Sequence, residues 1–181
     1  MSFSIKHKKN INSLQINQRV TLREDKTFLP IKAENRVEII AVDKGVIPEI
    51  SKQLKCDYLI YDGDRKVSRF IELKGVDVTH ACDQIHDTIL FFEGDEDLKV
   101  LVTNMNLLQG YIVSPHCNVP AVDDTHRKRT YRKLYSKSRD KLDNVFEHLV
   151  FVRCVSKNPG KKTEKGNKTE IIVSNEHPLT V

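Results

Sequence analysis

The sequence lacks any run of 18 uncharged apolar residues, the length that a membrane-spanning helix needs. Its first ten residues, MSFSIKHKKN, carry basic side chains, but no apolar stretch follows them. A secretory signal requires such a stretch, so we expect no signal peptide and a cytoplasmic protein. No internal repeat is visible.

Cysteine is scarce, and its placement excludes another class of protein. The four cysteines are scattered along the chain and include no CxxC pair: Cys56, Cys82, Cys117 and Cys154. This spacing excludes the usual structural zinc knuckle and predicts free, buried thiols. The histidines, among them His80, His86 and His116, form no metal-ligand spacing, and no glycine-rich phosphate loop is present.

The composition is that of a globular domain. Of 181 residues, 39% are hydrophobic and 30% are charged, which is enough for a core and too apolar for a wholly disordered chain. Strand-like and helix-like periods are mixed, which predicts one α/β domain over residues 1–181 with a mixed central β-sheet flanked by helices. Strands are expected at 37–43, 56–62, 67–74, 98–103, 110–114, 149–155 and 171–173, helices at 77–93 and 124–147, one helical turn at 48–54, and a mobile loop at 156–169. Residues 1–35 could form an arm, a short strand or part of a first helix.

The helix expected at 77–93 has clear boundaries. Asp77 is a natural N-cap, and Gly94 lies where a helix would end. One stripe along it is apolar at helical spacing and should face the core: Val78, Ala81, Cys82, Ile85, Ile89 and Phe92.

A hairpin is expected just before this helix, because Asp62-Gly63 separates two apolar runs. With Gly63-Asp64 as a two-residue loop, Asp57 would oppose Phe70 and share a face with Glu72 and Lys74. The diagonal separation from Asp57 to Glu72 would then be about 7–8 Å, close enough for both carboxylates to reach one ion. An odd-length loop would break this parity.

Two carboxylates beside a lysine suit phosphodiester hydrolysis. Mg²⁺ takes oxygen ligands, often one or two carboxylates together with substrate phosphate, and Mn²⁺ could substitute for it. Asp57, Glu72 and the backbone carbonyl of Leu73 are the predicted ligands. The ammonium of Lys74 could hold the attacking water or shield the leaving charge.

These residues resemble a known signature. Asp57, then fourteen residues, then Glu72-Leu73-Lys74, within CDYLI and FIELKG, resembles the motif of the PD-(D/E)XK nuclease superfamily over about residues 36–104. The resemblance implies a restriction-endonuclease-like fold, metal binding by Asp57 and Glu72, and a catalytic role for Lys74. It also suggests a supporting role for Gln84 on the following helix.

Two features depart from the family pattern. Cys56 stands where many members have proline before the first acidic residue. An upstream glutamate often completes the family's site, and Glu34, Glu38 and Glu49 are candidates among which the sequence does not decide.

Positive charge is concentrated in one segment. The net charge is +5, but residues 126–141 alone hold eight Lys/Arg and one Asp, so the rest of the chain is slightly negative. We expect this segment to be a helix that contacts phosphates, so that reversing its charges would weaken DNA binding far more than stability. The alternative is a solvated helix face. The predicted nucleic-acid-binding residues are Arg127, Lys128, Arg129, Arg132, Lys133 and Lys137.

The combined expectation is a Mg²⁺-dependent deoxyribonuclease, an endonuclease of restriction or defence type that acts as a homodimer on DNA. Two alternatives remain open at this point: a Holliday-junction or repair nuclease of the same fold, and a nuclease-like protein that binds nucleic acid without cleaving it. RNA is a lesser possibility as substrate.

Overall fold

The computed structural model describes residues 9–48, 52–74, 77–115, 124–142, 145–155 and 170–181. It contains ten strands and three α-helices within these ranges. The strands are β1 (Ile11–Leu14), β2 (Arg19–Glu24), β3 (Thr27–Lys32), β4 (Val37–Ala41), β5 (Tyr58–Asp62), β6 (Val67–Leu73), β7 (Leu107–Ser114), β8 (Leu149–Cys154), β9 (Glu170–Val173) and β10 (Leu179–Thr180). The helices are α1 (Val78–Gly94), α2 (Thr125–Lys137) and α3 (Val145–His148).

The strands form two sheets. The larger has seven strands in the order β1-β4-β5-β6-β7-β8-β9, and the smaller has three in the order β10-β3-β2. Neighbours from β1 to β6 run antiparallel, and neighbours from β6 to β9 run parallel. The expectation of a mixed central sheet in an α/β domain is thus confirmed, and β9 pairs with β8 as the sequence suggested.

The expectation that helices flank the large sheet holds for one face only, because the small sheet covers the other face. On one face, the helices pack on residues such as Leu59, Phe70 and Phe151, and on the other the small sheet packs on Ile60 and Ile71. Because consecutive side chains of a strand point to opposite faces, β6 supplies both cores, and the pattern of its seven residues is almost continuously buried.

Helix α1 matches its sequence prediction closely. The Asp77 carboxylate accepts a hydrogen bond from the His80 backbone N–H at 2.9 Å, and the whole predicted apolar stripe is buried. The helix approaches the sheet closely at Gly110, where an added Cβ would lie 3.1 Å from Leu149 and 3.2 Å from Ile85. The missing side chain at that position therefore allows α1 to pack against β7.

The hairpin has a longer loop than predicted. Pairing ends at Asp62 and Val67, so four residues, Gly63–Lys66, form the connection instead of two. The register places Tyr58 opposite Ile71 instead of Arg69, pairing ends there, and the Asp57 N–H just beyond it donates to the Ile71 carbonyl at 3.1 Å. The slip is an even number of residues, so the side chains keep their faces.

The strand predicted at 98–103 is wrong. Residues Lys99–Leu101 form a short 3₁₀ turn, and the strand that follows α1 is β7. The carboxylate of Asp95 accepts hydrogen bonds from the backbone N–H groups of Asp97 and Leu98, and these bonds close the chain into a turn. The side chains of Leu98 and Leu101 are buried in the core. The strand–strand–helix–strand core therefore extends to residue 114 instead of 104.

The single helix predicted at 124–147 is also wrong. Helix α2 ends at Lys137, because the Ser138 hydroxyl turns back to donate to the Leu134 carbonyl at 2.9 Å and accepts from the Leu108 N–H at 2.8 Å. This pair of bonds attaches the chain to β7 and stops the helix. A separate short helix, α3, leads directly into β8.

Where residues 1–35 are described, they form the strands β1, β2 and β3. The loop predicted at 156–169 and the centre of the turn predicted at 48–54 lie outside the described residues. The three described cysteines, Cys56, Cys82 and Cys154, are free and buried, as expected. No helix in the described part of the chain has the length and apolarity to span a membrane.

Candidate active site

The predicted site residues meet in one cavity. The cavity has a volume of about 800 Å³ and lies where β6 ends and the chain enters β5. Its lining includes all of the residues predicted to act in catalysis or metal binding: Asp57, Glu72, Leu73, Lys74 and Gln84. The structure thus brings together side chains from two strands and one helix, as the hairpin and helix predictions required.

The backbone holds Asp57 in position. Its N–H donates to the Ile71 carbonyl at 3.1 Å, and its carboxylate accepts from the Leu73 N–H at 2.7 Å. The side chain is only 8% exposed. Burial is the main cause that raises the pKa of Asp57 to about 8, and a hydrogen bond to the Glu24 carboxyl adds to the rise.

Glu72 is even more enclosed, at 1% exposure. Burial first, and then the nearby charge of Asp57, raise the pKa of Glu72 to about 9, although the Lys74 ammonium opposes the rise. The Lys74 Nζ lies 3.8 Å from Glu72 Oε1, while Glu72 Oε2 is buried without a hydrogen-bond partner. A buried carboxylate oxygen without a partner is costly unless something else binds it.

Gln84 fixes the lysine. The Lys74 ammonium donates to Gln84 Oε1 at 3.1 Å, and Gln84 Nε2 donates in turn to the Lys55 carbonyl at 2.9 Å. Gln84 is on α1, so the helix sets where the ammonium lies relative to the carboxylates. Gln84 is therefore a positioning residue for Lys74 in this structure.

Besides the helix cap Asp77, three acidic residues that the sequence analysis did not assign to the site line the cavity: Glu24, Asp25 and Asp43. Glu24 ends β2 and contacts the Asp57 carboxyl, and Asp43 follows β4 and pairs with the Lys55 ammonium at 3.1 Å. The turn Asp25-Lys26 between two β-like runs signals a hairpin, and Asp25 has the positive φ of 47° typical of such turns. No local signal shows that this hairpin ends against Asp57, since the contact joins two different sheets.

The glutamates proposed from the sequence lie elsewhere. Glu34 is exposed after β3, and Glu38 lines a different cavity together with Arg36 and Tyr61. Neither lines the cavity that contains Asp57. Glu49 lies outside the described residues. Glu24 and Asp43 are the acids that accompany the pair instead.

The oxygen atoms of this cavity fit a hard divalent cation. Among the described residues, no three His, Cys, Asp or Glu side chains already surround one point as a preformed metal site. Mg²⁺ needs less than that, because it keeps several waters and binds through one or two carboxylates plus substrate oxygens. Asp57 and Glu72, with the unpaired oxygen of Glu72, supply such a donor set.

More of the basic side chains of α2 are buried or paired with acidic residues than the sequence suggests. Arg127 is 2% exposed and stacks over the Phe151 ring at 5.8 Å, so the expectation that it contacts phosphates is corrected. Lys133 and Lys137 both pair with Glu93 of α1. Arg129 pairs with Asp83 of α1 at 2.7 Å.

Reversing the charges of α2 would therefore also break its ion pairs with α1, in addition to removing positive charge. The spacing of the basic residues along α2 does not reveal these ion pairs, because their acidic partners lie on α1. Lys128 and Arg132 are exposed members of the predicted set.

Comparisons of the chain with protein-family models, with curated proteins and with solved structures found no match. The functional assignment therefore depends on the geometry of this chain.

Proposed function

We propose that the protein is a Mg²⁺-dependent deoxyribonuclease with a restriction-endonuclease-like fold, an endonuclease of restriction or defence type that acts as a homodimer. The observation that carries this proposal is the meeting of Asp57, Glu72 and Lys74 in one cavity, with one buried oxygen of Glu72 left unpaired. Such a combination of perturbed carboxyls and a lysine in a cleft is typical of catalytic sites.

The topology supports the same family. The order β5, β6, α1, β7 is the strand–strand–helix–strand order that the PD-(D/E)XK resemblance implies. Within it, β5 and β6 are antiparallel and β6 and β7 are parallel, so the acidic hairpin lies at the centre of the large sheet. Function is carried by the site and not by the fold, so the topology counts as support only.

Each residue has a chemical task in this proposal. Asp57 and Glu72 would hold the cation, with the Leu73 carbonyl beside them. The cation would polarise the phosphodiester and offset the charge that develops on it. Lys74, held by Gln84, would donate a hydrogen bond to the attacking water or to a phosphate oxygen. The nearby acids Glu24 and Asp43 add negative charge that favours the cation.

The test is cleavage of supercoiled plasmid, linear duplex and branched DNA, each with Mg²⁺, with Mn²⁺ and with a chelator. Glu72→Ala and Lys74→Ala should each remove most cleavage while the fold stays intact. Glu38→Ala is the matched control, because Glu38 is a strand glutamate that also has a buried, unpaired oxygen but lines another cavity. Full activity in both site variants would refute the assignment.

The choice of substrate separates the alternatives. Strong preference for branched DNA would favour a junction or repair nuclease of the same fold. Metal-independent binding without cleavage of any substrate would favour a non-catalytic nucleic-acid-binding protein.

A further inference from the structure

A second cavity runs along β2, on the side of the large sheet that the small sheet covers. We call it the β2 groove; it has a volume of about 620 Å³, and its floor includes Ile39, Ala41 and Tyr58. Its wall is β2, whose Val20 and Leu22 side chains face the core, so the exposed Arg19 and Arg23 lie on the outer face of β2, at the rim of the groove. The groove thus combines an apolar, partly aromatic floor with a cationic rim.

The β2 groove adjoins the candidate active site. Arg23 immediately precedes Glu24, and Tyr58 immediately follows Asp57. Glu24 and Asp57 line the active-site cavity, whereas Arg23 and Tyr58 line the groove. An extended polymer bound along the groove would therefore run directly into the active-site cavity, where the carboxylates of Glu24 and Asp57 lie.

The charge of the groove favours a polyanion. Among the described residues, its lining contains two arginines and no aspartate or glutamate. Among the described contacts, neither arginine forms an ion pair with a carboxylate, and Arg23 lies over the Phe28 ring at 5.7 Å. The cations of α2 differ, since Arg129, Lys133 and Lys137 are paired with acids of α1.

The spacing of the two arginines suits an extended ligand. Residues four apart on a strand point to the same face and lie about 13 Å apart along it. Two guanidiniums at that separation would contact different phosphates instead of one. Channels for single nucleic-acid strands combine such cations with aromatic side chains on which bases stack, and Tyr58 offers such a ring.

We propose that the β2 groove binds one strand of the nucleic-acid substrate, with Arg19 and Arg23 on its phosphates, and leads that strand to the active site. The inference rests on the proposed nuclease function for its choice of ligand. It goes further by assigning the path of the strand to the small sheet, where sequence analysis pointed to the basic helix.

The experiment measures binding of fluorescently labelled single-stranded and duplex oligonucleotides by anisotropy across a salt series, in a Glu72→Gln background that prevents cleavage. The variants are Arg19→Gln, Arg23→Gln and the pair together. Arg153→Gln is the matched control, because Arg153 is an exposed strand arginine on β8, four strands away from β4 in the large sheet. Thermal unfolding of every variant verifies that the fold is retained.

Each groove substitution should lower the slope of log affinity against log salt by about 0.7 for the single strand, and the pair by about 1.4, because each removes one phosphate contact. The affinity at low salt should fall at least about tenfold for the pair, similarly for different base sequences. Arg153→Gln should leave both quantities unchanged.

An unchanged slope in the groove variants, or a change no larger than that of Arg153→Gln, would overturn the proposal. Failure of the parent protein to bind either oligonucleotide would overturn it as well. Arginine-dependent binding by a protein that never cleaves DNA would support the groove and refute the nuclease, so the two failures are distinguishable.

Discussion

Replacing Glu72 by Gln should stabilise the metal-free protein at neutral pH, although the same change removes cleavage. The folded protein raises the pKa of this carboxyl from 4.5 to about 9, chiefly by burial. At pH 7 the unfolded chain therefore releases a proton that the folded protein keeps. At 1.36 kcal/mol for each pH unit above the unfolded pKa, this opposes folding by up to about 3 kcal/mol. A glutamine does not titrate, so it escapes that cost.

The direction with pH follows from the raised pKa. Below about pH 4.5 the Glu72 carboxyl is protonated in both states and costs nothing. Above that pH the unfolded state binds fewer protons than the folded state, so stability is lost as pH rises. The loss is complete once pH passes the folded-state value of about 9. The difference between wild type and Glu72→Gln should therefore grow from pH 5 to pH 9.

The assay is urea denaturation between pH 5 and pH 9, with a chelator and with added Mg²⁺. Mg²⁺ should stabilise the wild type by about 2.7 kcal/mol at roughly 100 times its Kd, because it binds only the folded site. Glu72→Gln should gain much less. Glu38→Gln is the control: burial also raises the pKa of Glu38, so its stability should shift in the same direction, but its response to Mg²⁺ should equal that of the wild type.

Two results would refute this reasoning. The first is a Glu72→Gln protein that is less stable than the wild type at every pH without metal. The second is equal stabilisation of the wild type and the variant by Mg²⁺, which would place the cation elsewhere.

Four further outcomes are expected. Gln84→Ala should lower kcat while leaving the unfolding free energy within about 1 kcal/mol, because it removes a support of Lys74 and not a core contact; an unchanged kcat would contradict the positioning role. Phe70→Ala should cost about 3–5 kcal/mol in urea denaturation, since Phe70 is fully buried between sheet and helix, and a loss below about 1 kcal/mol would contradict that packing. Lys128→Gln with Arg132→Gln should lower the salt dependence of DNA binding without changing thermal stability, since both side chains are exposed; an unaltered salt slope would mean that α2 is only a solvated helix. Light scattering should show a homodimer, as paired sites suit duplex cleavage, and a monomer both free and with DNA would exclude it.

The local sequence determined much of the central architecture. Asp77 and the apolar stripe of α1 predicted that helix because capping and helical periodicity are properties of neighbouring residues. The alternation in FIELKG predicted which side chains share a face, since a strand has a period of two. That parity survived the longer hairpin loop, so Asp57, Glu72 and Lys74 could be grouped before the fold was known.

Where the sequence failed, several structures were compatible with the same pattern. The apolar run 98–103 suits a strand or a buried turn, and the Asp95 side chain decides for the turn. The basic run after Asp124 suits one long helix, until Ser138 bonds to β7 and ends it. The Asp95 bonds are local, so the sequence carried that signal, whereas the bond from the Leu108 N–H to Ser138 joins residues 30 positions apart and forms only in the packed fold.

Only the tertiary structure decided which charged side chains contact each other. Glu24 reaches Asp57 because the small sheet packs across the large one, a contact between residues 33 positions apart in the chain. Arg129 and Lys133 are neutralised by α1 for the same kind of reason. Helix caps and strand faces are set by residues that are close in sequence. The electrostatic environment of a buried carboxylate or an exposed arginine depends instead on which distant elements lie against it, and packing decides that.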